Sequence, residues 1–160
     1  MNSSYDSTFF PSRIVSGGQT GVDRAGLELA IAHNIPHGGW CPRGRRSEDG
    51  TIPSRYELEE LDSPDYPART EQNVIDSDAT LILFEVAIKG GTRLTRRYAR
   101  RWDKPVLSLN IEAADPVELR DWIDLVRPNT LNIAGPRESS FPGIGDRAFA
   151  FLLQAFSRTP

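Results

Sequence analysis

Cysteine is almost missing from this 160-residue chain, and the one present, Cys41, excludes an internal disulfide. With no secretory leader at its start, the chain is expected to work in a reducing cytoplasm. No apolar run approaches the roughly 20 residues of a membrane span, so no membrane partner is expected. Histidine is nearly as scarce: His33 and His37 have no ligand spacing to Cys41 or to a carboxylate, and no metal held directly by side chains is expected. Lysine is confined to Lys89 and Lys104 among 19 basic positions, and the formal net charge of -3 offers no general attraction to nucleic acid. The remaining basic residues are arginines, whose planar fork suits phosphate-like and carboxylate groups. Neither an internal repeat nor a nucleophile paired with a base is found. Cys41, between Trp40 and Pro42, reads as a small buried core residue.

What is present is one domain's worth of core, 38% hydrophobic residues, expected over residues 13–160 behind a loose lead-in over 1–12. The Phe9-Phe10 pair of that lead-in is expected at the edge of the core. Residues 14–29, IVSGGQTGVDRAGLEL, organise the rest: an apolar strand, a glycine-rich turn and an amphipathic helix. Gly17, Gly18 and Gly21 permit positive φ and close approach of backbone to a ligand, while Ser16, Gln19 and Thr20 add side-chain donors. A helix starting near Val22 or Asp23 turns its unpaired N–H groups and positive dipole end toward that turn, which predicts an anion site at Gly18 to Gly21.

Strand and helix then alternate. Strands are expected over 13–16, 37–41, 79–86, 106–111 and 130–134, and helices over 23–34, 68–78, 93–102, 116–126 and 144–156. The run ATLILFEV over 79–86 reads as a strand buried on both faces of a parallel sheet. In the basic helix RLTRRYARRW, Leu94, Tyr98 and Trp102 share a face and most arginines face solvent. In the helix over 68–78, Arg69, Asn73 and Asp76 fall on one face. Residues 47–67 form a connection longer than usual, expected as a folded-over loop or lid with a single helical turn. This alternation calls for an α/β fold, a doubly wound sheet of about five mainly parallel strands with helices on both faces. Ligands in such folds sit beyond the carboxyl ends of the strands, where strand order reverses. Three glycine turns, at Gly17, Gly90 and Gly135, follow strands and should gather there with Arg43, Arg45 and Arg46. In a nicotinamide-binding fold an acidic residue would stand where those arginines are, so NAD is not expected. Asp23 and Asp49 could cap a helix or turn, or accept from a base edge.

The stretches SGGQTGVDRAGLE, HGGWCPRGRRSEDG, RTEQNVIDSDATLIL, KGGT and GPRES, in this order and spacing, resemble the molybdenum cofactor carrier family, Rossmann-like proteins distantly related to the lysine-decarboxylase-like phosphoribohydrolases. The resemblance covers nearly the whole chain. It implies a homo-oligomer, dimer or tetramer, that holds molybdenum cofactor or molybdate and delivers it to a molybdenum enzyme rather than transforming it. The ligand contacts it implies run through Gly17, Gly18, Gln19, Thr20, Gly21, Asp23 and Arg24, then Arg45, Arg46 and Asp49, then Arg69 and Asn73. They continue through Gly90, Gly91 and Thr92 to Gly135, Arg137, Glu138 and Ser139. The related hydrolases carry PGGxGTxxE, whose glutamate acts on an N-glycosidic bond; here the turn reads KGGTRLT and Thr95 stands at the glutamate's place. No catalytic residue is therefore expected, and a nucleotide sensor or an N-glycosidic hydrolase using Glu138 or Glu85 is the alternative.

Overall fold

The computed structural model describes residues 8–157. Of the lead-in, residues 1–7 lie outside the described residues, and Phe9 and Phe10 pack against the main core. Strand β1 (Arg13–Val15) runs through the first glycine turn into helix α1 (Val22–Ala32). The strand expected over 37–41 is two: β2 (His37–Gly38), paired with β1, and β3 (Trp40–Cys41), which leaves the sheet. Gly39 separates them at φ +126, where a Cβ would stand 2.2 Å from the Ser16 carbonyl oxygen. Only glycine lets the chain pass so close beneath the end of β1.

The long connection that follows contains β strands rather than a helical turn. A hairpin of β4 (Arg46–Ser47) and β5 (Gly50–Thr51) precedes β6 (Glu59–Glu60), which pairs with β3. Helix α2 (Tyr66–Ile75) begins two residues earlier than its sequence pattern, with Pro67 in its first turn, where a missing N–H costs nothing. Strand β7 (Ala79–Phe84) stops short of Val86 because Val86 turns out of the sheet at φ +63 and the Ala87 N–H closes onto the Glu85 carbonyl at 2.6 Å. Helix α3 (Gly90–Arg101) starts on the glycines themselves, and its buried face is Thr92, Thr95 and Ala99. Trp102 lies beyond its last turn and is exposed. Strand β8 (Val106–Asn110), helix α4 (Pro116–Val126), strand β9 (Thr130–Ala134) and helix α5 (Ile144–Phe156) complete the chain.

The main sheet has five strands, all parallel, in the order β2-β1-β9-β7-β8. Helix α1 packs on α5 and α5 on α4. Their apolar stripes meet Leu81, Leu83, Leu131 and Ile133 in one cluster that closes over Phe156. Side chains alternate along a strand, so Thr80 and Asn132 point to the opposite face, where they are buried and joined at 3.3 Å. That face is covered by the packed pair α2 and α3. A second, smaller cluster of Leu27, Cys41, Ile52 and Tyr56 sits under the long connection.

Candidate functional site

The chain lays β2 on one side of β1, crosses to β7 and β8, and returns to insert β9 between β1 and β7. At the carboxyl ends of those three strands lies a cavity of about 650 Å³. Gln19 and Asp23 line it from the β1 turn, and Ala134 to Arg137, Ser140 and Phe141 from the β9 turn. The β7 turn and α3 contribute Ala87, Lys89 to Thr92, Leu94 and Thr95, and the start of α2 contributes Tyr66, Pro67, Arg69 and Thr70. Of the residues singled out from the sequence, Gln19, Asp23, Arg69, Gly90, Gly91, Thr92, Gly135 and Arg137 thus meet around one space.

The three glycines of the first turn are each packed against protein. A Cβ on Gly17 would overlap the Arg69 guanidinium, with Nη1 at 1.4 Å, and one on Gly18 would meet Leu58 Cδ1 at 2.4 Å. One on Gly21 would meet the Pro136 carbonyl oxygen at 2.4 Å. Three backbone donors of the turn are also in use. The Gln19 N–H donates to Asp23 Oδ2 at 3.2 Å, the Thr20 N–H to Gln19 Oε1 at 3.0 Å, and the Val22 N–H to the Pro136 carbonyl at 3.2 Å. Of the cavity-lining glycines, Gly90 and Gly91 face open space, where an added Cβ would meet nothing within 4 Å. Their N–H groups open α3 and donate to no described residue, so it is this helix end that offers an anion cradle to the cavity.

The other singled-out residues stitch the long connection down over the β1 turn. Arg24 forks onto Asp49 at 2.7 and 2.8 Å and donates to the Gly18 carbonyl at 3.1 Å. The Arg24 fork and the Ser47 hydroxyl hold the Asp49 carboxyl well below the usual carboxylate range. Arg45 donates to the carbonyls of Ile52, Pro53, Tyr56 and Leu58, so its guanidinium ties the connection to itself and stands away from the cavity. Arg46 lies exposed on β4. Asn73 holds both the N–H and the carbonyl of Trp40, at 2.7 and 3.0 Å, fastening α2 to β3. Thr20 donates to Glu48 and accepts from the Glu138 N–H, while the Ser139 N–H and hydroxyl donate to the same Glu48 at 3.0 and 2.5 Å. Burial opposes the Glu48 charge, but those bonds and the nearby Arg137 outweigh it and lower its pKa.

Two carboxylates considered for catalysis are held elsewhere. Glu138 accepts from the N–H groups of Gly143 and Gly145 at 2.5 and 3.0 Å and so caps α5. Glu85 is gripped by Arg147 at 2.6 and 3.0 Å. Thr95 donates its hydroxyl to the Gly91 carbonyl at 3.0 Å. Among the described residues, Asp23 is the one carboxylate lining the cavity, 3% exposed, with Arg69 Nη1 at 3.3 Å from Oδ2. Burial raises its pKa, and the Arg69 charge pulls against that rise. Sequence reasoning missed Glu48, Tyr66, Thr70 and Phe141. Tyr66, at the first position of a helix beside Pro67, carries a positional signal, whereas Glu48 meets Ser139 across 91 residues and carries none.

A parallel sheet wound on both faces, with a cavity where strand order reverses, defines a Rossmann-like domain. The chain belongs to the Circularly permutated YpsA SLOG family, which it matches over residues 14–156. It is similar to a crystal structure from Syntrophus aciditrophicus SB named "Putative molybdenum carrier protein", with 41% identity and a TM-score of 0.90 over 96% of this chain and 99% of that one. The likeness carried by the sequence motifs is borne out by both. No curated protein matches the chain. Among the described residues, no helix is long and apolar enough to cross a membrane.

Proposed function

We propose that this protein is a carrier that holds molybdenum cofactor, a phosphate-bearing heterocycle, in the cavity between the β1, β7 and β9 turns. The observation that carries the reading is the cavity with the open Gly90-Gly91 amides at one wall. Its volume of about 650 Å³ falls in the range of small-molecule sites and is several times what a lone molybdate ion fills. The residues fit such a cargo. Arg69 Nε is buried with no partner among the described residues, and Thr92 and Lys89 line the same cavity. Amides at a helix start suit a phosphate or an oxyanion, and the aromatic rings of Tyr66 and Phe141 suit a flat ring system. The similar protein from Syntrophus, named a molybdenum carrier, supports the carrier role.

The motif resemblance extends the reading to a cytoplasmic homo-oligomer, dimer or tetramer, that passes its cargo to a molybdenum enzyme. A carrier needs complementarity to a stable ligand and none to a transition state, so binding is expected without turnover. The test is metal analysis and mass spectrometry of material released from the purified protein, beside an assay for base released from nucleoside monophosphates. Molybdenum or a pterin recovered in stoichiometric amount, with base release at the buffer rate, is the expected result. Base release well above the blank would replace the carrier with a hydrolase, for which Asp23 would be the carboxylate to examine.

A further inference from the structure

Gln19 and Asp23 each have one half of the side chain fixed to protein and the other half open to the cavity. Gln19 Oε1 accepts the N–H groups of Thr20 and Glu48 at 3.0 and 2.9 Å, which sets the amide orientation and leaves Nε2 as a donor with no described partner. Asp23 Oδ2 accepts from the Gln19 N–H at 3.2 Å and Arg69 Nη1 at 3.3 Å, which leaves Oδ1 as an acceptor with no described partner. Asp23 is 3% exposed and Gln19 9%, and both line the cavity, so what they leave open faces ligand rather than bulk water. Arg69 lines the same wall, and apart from Nη1 its nitrogens donate to no described residue. The wall therefore presents one acceptor and two sources of donors, joined through Asp23 Oδ2. An unpaired buried group of this kind is costly, and a ligand that pairs all of them gains accordingly.

We propose that Asp23, Gln19 and Arg69 form the specificity wall of the site and select heterocycles with a lactam edge, an N–H beside a carbonyl, as in pterin and guanine. The ring N–H donates to Asp23 Oδ1, and the carbonyl, with two lone pairs, accepts from Gln19 Nε2 and from Arg69. An adenine-type edge has an amino N–H and a ring nitrogen with one lone pair, so it leaves a donor of the wall unpaired. This selection rests on the reading of the cavity as a site for a phosphate-bearing heterocycle and names the ring chemistry that such a site takes.

The test is calorimetric titration of the full chain with GMP, IMP and AMP, which share a phosphate and ribose and differ in ring edge, alongside inorganic phosphate and molybdate. GMP and IMP are expected to bind at least tenfold more tightly than AMP. Asp23→Asn is isosteric: its carbonyl can keep the Gln19 N–H, and its amide turns the open acceptor into a donor. That variant is expected to lose the preference for GMP and IMP. If Asp23→Asn does not fold, Gln19→Glu serves instead, because it keeps the bonds of Oε1 and turns the open donor into an acceptor, with the same expected loss. Equal binding of the three nucleotides by the native chain, or a preference that survives the variant, overturns the specificity wall. Binding of phosphate or molybdate with no nucleotide bound overturns it too, while leaving the oxyanion cradle standing. Refusal of every probe overturns the reading of the cavity itself.

Discussion

Two glycine-to-alanine changes should separate the roles of the two glycine turns. Gly21 sits at φ +82 and ψ -129, a region that alanine enters only under strain, for about 1 to 3 kcal/mol. Its Cβ would also stand 2.4, 2.8 and 2.9 Å from the Pro136 oxygen, the Glu138 nitrogen and the Arg137 carbonyl carbon. All three are backbone atoms, so no side-chain rotation relieves the overlap, and the β9 turn must move away from the β1 turn. That motion pulls on the Thr20 to Glu138 bond and on the Glu48 to Ser139 pair. Strain and displacement together put Gly21→Ala at about 3 kcal/mol or more, a fall in Tm of roughly 6 to 12 °C for a domain of this size. Gly91 is the contrast: a Cβ there meets nothing within 4 Å, and the residue lies in the first turn of α3. Gly91→Ala should leave Tm unchanged or slightly raised by helix propensity. It should nevertheless weaken phosphate or molybdate binding by about tenfold, about 1.4 kcal/mol, because the methyl enters the open cradle. Thermal unfolding and calorimetric titration on both variants give the answer. A Gly21→Ala protein as stable as the native one, or a Gly91→Ala protein that keeps full oxyanion affinity, would refute the division.

Arg45→Ala removes donation to four carbonyls and should lower stability by about 2 kcal/mol in chemical denaturation, while Arg46→Ala stays within about 0.5. Val86 is 68% exposed at φ +63, so Val86→Gly should raise Tm by relieving about 1 kcal/mol of left-handed strain with little lost packing. Glu48 and Asp49 have lowered pKa values when folded, so the stability they add is present above the ordinary carboxylate range near about 4 and is lost as pH falls below it. Asp23 acts with the opposite sign, its raised pKa making ionisation unfavourable to the fold above that range. Hydrogen exchange should therefore show the Ser139 amide opening on acidification before the core does, and Glu48→Gln should flatten that response.

The layers of the fold are legible in the pattern because each rests on local periodicity. The run over 79–84 is apolar throughout, and Leu119 and Ile123 share a stripe, whatever lies beyond them. What the pattern does not carry is anything decided by a distant partner. Gly17, Gly18 and Gly21 look like an open ligand turn until Arg69, Leu58 and Pro136 are brought against them. The KGGT turn looks secondary until its surroundings prove empty. Likewise Arg45 reads as a ligand arginine because a guanidinium fork suits a phosphate, yet the same fork reaches four carbonyls of its own connection. Asp23 and Arg69 were visible as residue types, whereas their partition into bonded and open atoms is a property of the packed turn.

The placement of β9 between β1 and β7 sets the order in which this protein can come into being. A chain emerges from the ribosome N-terminus first, so β1, β7 and β8 are made before the strand that joins them. Until residues 130–134 appear, β1 and β7 each present an unpaired edge to any neighbouring nascent chain, and the cavity has no third wall. Closing it couples Thr20 to Glu138 over 118 residues, a contact of high order that forms late. The cavity can therefore be complete only once residues 130–141 have been made, and a ribosome that stops before them releases a sheet divided down its middle.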